Sequence, residues 1–397
     1  MEQYLYIFAG GMSSLYLFNP ENDMALASGS PYYMAPGSAK KMAADLAVLP
    51  AWYAPAGAAV WLPEARQAAW LREGCPFAVG VESVTAFSDA VYNKVVPWGW
   101  SPSLLRRLRE AGCPSSSLLS DEEVGRLRRL SSRELAVRLL PRLRCEGTLG
   151  ESSLLFSVEE AERFAAVRGS VLLKAPWSGS GRGLRAVEGS LDASQAGWVR
   201  RVIASQGAVA GEPRYERVAD FAMEFRLEGG EVRAAGYSLF ETDARGSYKE
   251  NVLASDEVIE ARLSAYVGAG VLREVGLCLR RLLTEELGGV YRGYLGVDMM
   301  VCRTERGYAL HPCVEVNLRY NMGVVSRLFF DRWVCPDATG RYVVEYFSEA
   351  GGALRFDEEM RARHPLEVKE NRIRRGYVSL TPVYADTCYQ AFVCVDI

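Results

Sequence analysis

The sequence predicts a mixed α/β protein built from two or three domains, and three observations support this fold class. Its 397 residues exceed the size of one ordinary domain. Up to about residue 105, apolar strand-like segments alternate with helical segments, which is typical of a small parallel α/β unit. Between Gly293 and Gly323, two segments of alternating apolar and polar residues predict a β-hairpin.

The N-terminal unit is predicted from three strand-like segments and one helical segment. Strands are expected at LYLF (15–18), AAVWLP (58–63) and FAVGV (77–81), and a helix at AKKMAADLAVL (39–49). The loop Asn19–Asp23 follows the first strand, where open α/β sheets bind ligands. We expect a substrate contact in this loop, and the alternative is an Asx-type turn that binds no ligand.

Two further regions are predicted to be helical, and the tail is predicted to contain strands. Residues 102–145 carry leucine and arginine at helical spacing, and the interleaved acidic residues favour a solvated surface. Residues 256–287 predict one long amphipathic helix that ends near Gly288. In the tail, YVSLTPVY and YQAFVCV are expected to pair and to dock on the N-terminal domain or on a partner.

A lysine and a glycine-rich loop stand together in SVLLKAPWSGSGRGL (170–184). A short buried strand ends at Lys174, and the loop that follows consists of Ser178, Gly179, Ser180, Gly181, Arg182 and Gly183. Glycines let backbone N–H groups approach an anion closely, and a lysine adds a positive charge beside it. The segment is neither a Walker A loop nor a Rossmann fingerprint. It predicts a phosphate site, and the alternative is a plain flexible turn.

The region after this loop carries several acidic residues on strand-like segments. Glu212 precedes Pro213 where a strand is predicted to end, which suggests a hinge whose backbone pairs with an adenine edge. Asp220 and Glu224 follow within an alternating segment. Farther on, Lys249 lies in a polar stretch that is able to fold over a ligand.

The predicted hairpin between Gly293 and Gly323 places three oxygen ligands on one surface. Alternate side chains of a strand point to opposite faces, so Asp298 shares a face with Glu315 and Asn317. Two carboxylates and a carboxamide suit a hard cation such as Mg²⁺. The alternative is a half-exposed hairpin with ordinary solvated charges. His311 and Cys313 are expected on the same polar face, as neighbours of the site with a core or packing role, because their donor type is wrong for Mg²⁺.

Taken in order, these motifs resemble the ATP-grasp superfamily over about residues 125 to 325. The resemblance implies that Lys174 and the loop from Gly179 to Gly183 bind phosphates and that Glu212 is the hinge glutamate. It implies a ribose ligand at Glu224, with Asp220 as the alternative, and a magnesium set of Asp298, Glu315 and Asn317. Lys249 resembles a basic residue that closes on the phosphates in some members.

Two positions depart from the family pattern. Arg133 stands where the family has an earlier lysine, and arginine keeps the charge but not the geometry. Gly296 stands where some ligases carry an arginine two residues before the metal aspartate. The charge of the transition state is therefore expected to be met by Arg319 or Arg182 instead.

The resemblance also implies a layout and a reaction. We expect an N-terminal α/β domain at 1–105, an ATP-grasp domain at 106–330 with lobes of 106–210 and 211–330, and a C-terminal extension with a terminal strand pair at 331–397. The expected reaction uses ATP and one or two Mg²⁺ ions, for which Mn²⁺ is a substitute. A substrate carboxylate is activated as an acyl phosphate and attacked by an amine. The alternatives are an ATP-grasp small-molecule kinase and a non-catalytic nucleotide-binding protein.

Composition limits the partners. The net charge of −3 argues against nucleic acid as the main partner, and no apolar run approaches the ~20 residues of a membrane span. Nine cysteines without a CxxC pair, and two histidines, argue against zinc or a disulfide framework and favour the cytoplasm. The start lacks the features of a signal peptide, and Met12 is an alternative to Met1 as the natural start. A homodimer is expected because dimers are common among similar ligases.

Overall fold

A computed structural model describes residues 14–88, 92–178, 183–242 and 248–396. Its N-terminal part is a four-stranded sheet of paired parallel strands. The strands are β1 (Ser14–Leu17), β2 (Ala59–Trp61), β3 (Glu82–Val84) and β4 (Lys94–Pro97). Their spatial order is β3-β2-β1-β4, so β1 lies in the centre with β2 on one side and β4 on the other.

The predicted parallel α/β unit is confirmed, with one strand misplaced. The third strand begins at Glu82, beyond the predicted segment 77–81. Gly80 adopts a left-handed backbone with φ +74°, which interrupts an extended chain, while Phe77 and Val79 are buried without being part of a strand. The helices of this part are α1 (Asn22–Ser28), α2 (Gly37–Asp45) and α3 (Ala65–Glu73), with a 3-10 turn at Leu49–Trp52.

The leucine- and arginine-rich region forms the predicted helices. They are α4 (Pro102–Glu110), α5 (Asp121–Leu130) and α6 (Arg133–Leu139), with 3-10 turns at Ser115–Ser117 and Leu140–Leu143. Helix α5 begins with a capping box in which Ser120 accepts from the Glu123 N–H and the Glu123 side chain accepts from the Ser120 N–H. Leucines of these helices are buried, and α6 packs beside the predicted hairpin.

A small antiparallel sheet follows. It contains β5 (Ser153–Leu155), β6 (Ser170–Lys174), β7 (Leu184–Glu188) and β8 (Val209–Pro213), with α7 (Val158–Arg168) and α8 (Ala193–Gln206) packed against it. The spatial order β5-β8-β6-β7 places β8 directly beside β6. Strand pairing alone therefore brings the end of the lysine strand close to the glutamate of β8.

The rest of the chain forms a nine-stranded sheet and its helices. Its strands are β9 (Glu216–Glu228), β10 (Glu231–Thr242), β11 (Tyr248–Leu253), β12 (Gly293–Thr304), β13 (Gly307–Asn317), β14 (Gly340–Tyr346), β15 (Glu367–Lys369), β16 (Arg372–Ser379) and β17 (Tyr389–Val395). Its helices are α9 (Asp256–Ser264), α10 (Ala269–Leu287), α11 (Met322–Trp333) and α12 (Gly352–Arg363). The spatial order is β13-β12-β9-β10-β11-β14-β17-β16-β15, so the tail strands continue the sheet that carries the hairpin.

The prediction of one continuous helix over 256–287 is wrong. The chain leaves the helix after Ser264 and starts again at Ala269. Between them the N–H groups of Tyr266 and Val267 both donate to the Leu263 carbonyl, and Gly268 caps the second helix. Turn chemistry at this point overrides an amphipathic pattern that continues through it.

The tail strands dock on the N-terminal domain. Trp52 is fully buried, and its Nε1 donates to the Leu380 carbonyl at 2.6 Å. Trp333 of α11 donates in turn to the Trp52 carbonyl at 2.9 Å. Apolar side chains of the first domain, α11 and the tail strands share one core. Among the helices in the described part of the chain, none is long and apolar enough to cross a lipid bilayer.

Candidate active site

The hairpin of β12 and β13 brings together the three predicted metal ligands. Asp298 lies opposite Glu315 in the antiparallel register, and the Asn317 Nδ2 donates to Asp298 Oδ2 at 3.1 Å. Burial and, next to it, the charge of Glu315 raise the pKa of the Asp298 carboxyl to about 7. A carboxylate whose ionisation is opposed in this way is one that a bound cation would stabilise.

A bulge interrupts the hairpin next to this set. In the strand register the pair that follows Asp298–Glu315 is Met300–His311. Between these two pairs β13 therefore contains two more residues than β12. The extra residues shift the alternation, and Cys313 becomes part of the apolar core at 2% exposure. The expectation that Cys313 shares the polar face is therefore wrong.

Arg133 connects the hairpin to the start of the glycine-rich loop. From the first turn of α6 its Nη2 lies 2.9 Å from Glu315 Oε2. The same guanidinium donates to the Ala175 carbonyl at 3.2 Å and to Ser178 Oγ at 3.4 Å. The side chain is 7% exposed. A single buried cation thus joins a predicted metal ligand to the base of the predicted phosphate loop.

The base of the loop is closed by backbone geometry. The Ala175 N–H donates to the Gly183 carbonyl at 2.9 Å. Gly183 has φ +74°, and a Cβ there would lie 2.9 Å from the Cβ of Ser178, so only glycine fits. The predicted residues Gly179, Ser180, Gly181 and Arg182 lie outside the residues that the structure describes.

Lys174 and Glu212 form a buried ion pair. They lie on the neighbouring strands β6 and β8, and Lys174 Nζ is 2.5 Å from Glu212 Oε2 with both side chains 5% exposed. His311 lies near this pair, with its ring 5.5 Å from that of Tyr215. Burial lowers the pKa of His311 to about 4, against the opposing charge of Glu212. The imidazole is therefore neutral at physiological pH.

Asp220 and Glu224 occupy different places on one face of β9. Asp220 accepts from Thr242 Oγ1 at 3.0 Å and pairs with Arg217 at 2.8 Å. Glu224 is four residues farther along the strand, about 13 Å away.

The Glu224 carboxylate is packed with the metal set rather than with the hinge. It is 1% exposed, and Oε2 accepts from Asn321 Nδ2 at 3.1 Å. A Cβ on Gly296 or Gly323 would lie 2.5 or 2.2 Å from its oxygens, so two glycines make room for it. Burial raises the pKa of Glu224 to about 8, and the charge of Asp298 contributes. Glu224 thus lies with the metal set, and Asp220 is the other residue that the resemblance implies for the ribose.

Arg319 is held by the N-terminal domain. Its Nε and Nη2 each donate to one carboxylate oxygen of Asp23 at 2.7 Å, so the two side chains form a bidentate ion pair. Asp23 lies in the first turn of α1, at the end of the segment 19–23 that was predicted as a loop. This segment is anchored where Asn19 Nδ2 donates to the Gly99 carbonyl at 2.8 Å. Sequence reasoning gave both the loop and Arg319 but not the contact between them, since 296 residues separate the partners.

Lys249 stands apart from these groups. Its Nζ lies 3.1 Å from Glu241 Oε2 on the neighbouring strand, and its side chain is 58% exposed. Within the described residues, the Lys249 amine donates a hydrogen bond to the Glu241 carboxylate. The structure therefore does not bring Lys249 to the other predicted site residues.

A narrow cleft, partly open to solvent, lies between α1, the start of the glycine-rich loop and the end of β13. Its walls include Asp23, Trp177, Ser178, Glu315, Asn317 and Arg319. Trp177 was not predicted as a site residue, although it stands inside the loop motif. Its Nε1 donates to the Arg128 carbonyl at 2.8 Å, and the Arg128 guanidinium lies 4.3 Å from its ring centroid.

The donor set at the cleft fits a hard cation. In the ranges that the structure covers, no three or more His, Cys, Asp or Glu side chains form a group able to hold a metal ion by themselves. The set has two carboxylates, Asp298 and Glu315, and one carboxamide, Asn317. Such a set suits Mg²⁺, which takes few protein ligands and completes its shell with water or substrate phosphates.

Comparison with known proteins identifies the fold. No family model matches the sequence, and no curated protein matches it. The structure is similar to biotin carboxylase from Campylobacter jejuni in a β-γ-ATP complex, with a TM-score of 0.51 and 12% identity over 97% of this chain and 87% of that one. It is similar to an ADP complex of N5-carboxyaminoimidazole ribonucleotide synthetase, with a TM-score of 0.52 and 12% identity over 97% and 93% of the two chains. The Staphylococcus aureus N5-carboxyaminoimidazole synthetase complexed with ADP gives a TM-score of 0.50 at 9% identity over 96% and 93%.

These likenesses extend over nearly the whole of both chains. They show that this protein has the ATP-grasp fold, as the order of motifs in the sequence predicted.

Proposed function

We propose that this protein is an ATP- and Mg²⁺-dependent ligase that joins a carboxylate to an amine and releases ADP and phosphate. The observation that carries the proposal is the position of Arg133, which contacts both Ser178 at the phosphate loop and Glu315 of the metal set. The two motifs are thereby parts of one cleft. A nucleotide whose phosphates lie between loop and metal would satisfy both.

Residues of β6, β8 and β9 are proposed to hold the nucleotide. Lys174 and the loop hold the phosphates, and the backbone next to Glu212 pairs with the adenine edge. Asp220 holds the ribose, because the other candidate, Glu224, packs beside the metal set instead. The ADP and β-γ-ATP complexes of the similar enzymes support a nucleotide in this fold.

Three cations of the chain face the phosphates and the group to be transferred. The positive charges of Arg133 and Lys174 neutralise the negative charge of the nucleotide phosphates. Arg319 is oriented by its bidentate ion pair with Asp23. A bound Mg²⁺ held by Asp298, Glu315 and Asn317 would neutralise phosphate charge. The protein's contribution is positioning and electrostatic stabilisation, as expected for phosphoryl transfer.

The proposed reaction has two steps. A substrate carboxylate oxygen bonds to the γ-phosphorus as the bond to ADP breaks, which gives an acyl phosphate. The amine nitrogen then bonds to the acyl carbon, phosphate leaves with the bonding electron pair, and the nitrogen loses a proton to give an amide. Arg319 lies where it can stabilise the transferring phosphoryl group, while Asp23 sets its orientation.

We further propose a division of work along the chain. The N-terminal domain at 1–105 presents the loop Asn19–Asp23 to the substrate, and the ATP-grasp domain at 106–330 holds the nucleotide. The extension at 331–397 continues the large sheet through β14, β16 and β17 and packs on the first domain. Its role is therefore to fix the first domain over the cleft.

The proposal is tested by measuring ADP release from Mg²⁺-ATP with a pool of carboxylates and amines. The wild type is expected to release ADP only with substrates present, and Asp298→Asn is expected to be inactive. An amide product together with phosphate supports the ligase. A stable phosphorylated substrate would instead identify a kinase, and release equal to that of Asp298→Asn with every pool would contradict an enzymatic function.

A further inference from the structure

A second pocket lies in the N-terminal domain, separate from the cleft. It stands at the carboxyl ends of β1 and β2, between α2 and α4, and has a cavity volume of about 310 Å³ with an opening to solvent. The strand order places β2 and β4 on opposite sides of β1, and ligands of open α/β sheets bind at such a switch point. The residues that line it are not shared with the cleft.

The walls of this pocket are apolar and shaped for a bulky group. Trp61 and Phe87 stack on each other with ring centroids 5.2 Å apart and form one side. Leu104 and Leu108 of α4 form another. Ala43 and Ala44 of α2 also line it, and because their side chains are small they leave the space open. A pocket of this size with apolar walls and few polar groups is typical of a small-molecule site.

The buried carboxylate of Glu21 lies in the wall of the pocket, and one of its oxygens has no partner in the described part of the chain. Glu21 is 6% exposed. Its Oε1 accepts from Arg107 Nη1 at 3.1 Å, whereas Oε2 is buried and has no hydrogen-bond partner among the described residues. An unsatisfied buried acceptor costs about 1–3 kcal/mol, more when it is charged. A ligand that donates a hydrogen bond to Oε2 would remove this cost.

Two cations also line the pocket. The Arg107 side chain is 49% exposed, and Lys40 of α2 is exposed. Arg107 uses one nitrogen on Glu21, which leaves further donors of its guanidinium for an anion. The pocket therefore offers a carboxylate, two cations and an apolar wall within one space.

We infer that this pocket binds an α-amino acid with a large apolar side chain. Its ammonium donates to Glu21 Oε2, its carboxylate meets Lys40 and Arg107, and its side chain packs against Trp61 and Leu104. A simple acid would leave Glu21 Oε2 without a donor, and a simple amine would leave the two cations without an anion. The inference goes beyond the proposed ligase activity, with which this pocket shares Glu21 of the loop Asn19–Asp23.

The test is titration calorimetry on the full chain without nucleotide, so that its outcome does not depend on catalysis. The probes are L-phenylalanine, L-leucine, 3-phenylpropionate, 2-phenylethylamine and glycine. Phenylalanine or leucine is expected to bind at least about tenfold more tightly than the probes that lack one charged group or the side chain. Equal binding of 3-phenylpropionate or 2-phenylethylamine, or no heat with any probe at millimolar concentration, would overturn the inference.

Variants separate binding from folding. Glu21→Gln removes the charge at similar size and is expected to weaken amino-acid binding about tenfold or more. Ala43→Phe fills the space without removing a polar group and is expected to abolish binding. Arg109→Ala is the control on α4, because Arg109 pairs with Asp121 at the surface and does not line the pocket. Unchanged binding in both Glu21→Gln and Ala43→Phe, with melting curves like the wild type, would place the amino acid elsewhere.

Discussion

The two ends of the proposed nucleotide site are stabilised by different kinds of contact. At the hinge end, Lys174 and Glu212 lie on neighbouring strands of one small sheet, and strand pairing brings them together. At the metal end, Glu315 pairs with Arg133 of α6, and Arg319 pairs with Asp23 of α1. The hinge end is therefore local, whereas the metal end forms only when separate parts of the chain pack. Substitutions at the hinge should affect stability and nucleotide binding together, whereas those of Arg319 and Asp23 at the metal end should affect turnover more than folding.

The largest effect is expected from Arg319→Ala at the metal end. Turnover should fall by about 10³ or more, as for an arginine that stabilises a transferred phosphoryl group elsewhere. ATP affinity should persist, because Lys174 and the loop remain. The measurement is kcat from ADP release beside the nucleotide Kd. Arg306→Ala at the exposed hairpin turn is the control, and turnover retained in Arg319→Ala would remove this residue from the mechanism.

At the hinge end, Lys174→Met should lower the free energy of unfolding by about 3–5 kcal/mol, because Glu212 would be left buried and unpaired. The double variant Lys174→Met with Glu212→Leu should regain most of this stability, since it removes both charges. Neither variant should bind ATP. Denaturant unfolding and calorimetry check the two parts. A double variant no more stable than the single one would show that the pair is not a self-contained unit.

Glu224→Gln tests whether the buried carboxyl of the metal end is protonated. The pKa of Glu224 is about 8 in the folded protein, well above its ordinary value of 4.5. The folded state therefore keeps a proton that the unfolded state loses, and the free energy of unfolding falls as pH rises from about 4.5 to 8. Above pH 8 the glutamine variant should be more stable than the wild type by on the order of 3 kcal/mol.

This comparison is made by denaturant unfolding in the presence of a chelator, so that bound metal does not contribute. The wild-type and variant curves should diverge as pH rises towards 8. Parallel curves across that range would mean that Glu224 titrates normally.

The smallest effect is expected from Asp23→Asn. The amide keeps one oxygen acceptor for Arg319 but loses the negative charge and the second hydrogen bond. Turnover should therefore fall by about tenfold with little change in stability. Asp386→Asn is a matched control, because Asp386 forms a similar bidentate ion pair with Arg66 at 2.8 and 2.9 Å on the exposed surface. Equal turnover in both variants would mean that the Asp23 contact does not orient Arg319.

The hinge end was predictable from sequence to a large extent. Lys174 was placed at the end of a strand and Glu212 near the end of another, and both positions are confirmed. The hairpin and the common face of Asp298, Glu315 and Asn317 were also predictable, because the alternation of apolar residues survives through that stretch. Periodicity carries this information wherever one face of a strand is buried.

Other features had no local signal. The bulge beside Asp298 shifts the alternation and moves Cys313 into the core. The bidentate ion pair between Arg319 and Asp23 joins residues 296 positions apart, and no pattern along the chain reveals it. The resemblance implied a ribose role for Glu224, yet the space left by Gly296 and Gly323 decides where its carboxylate packs. Each of these depends on tertiary packing rather than on propensity.

The central claim is that loop and hairpin form one magnesium-nucleotide site, and ATP binding measured with and without Mg²⁺ tests it most directly. Calorimetry should be performed on the wild type and on Asp298→Asn with Glu315→Gln. The account predicts that Mg²⁺ strengthens ATP binding to the wild type and has little effect on the double variant. Equal Mg²⁺ dependence in both proteins, or no ATP binding to the wild type at millimolar nucleotide, would contradict it.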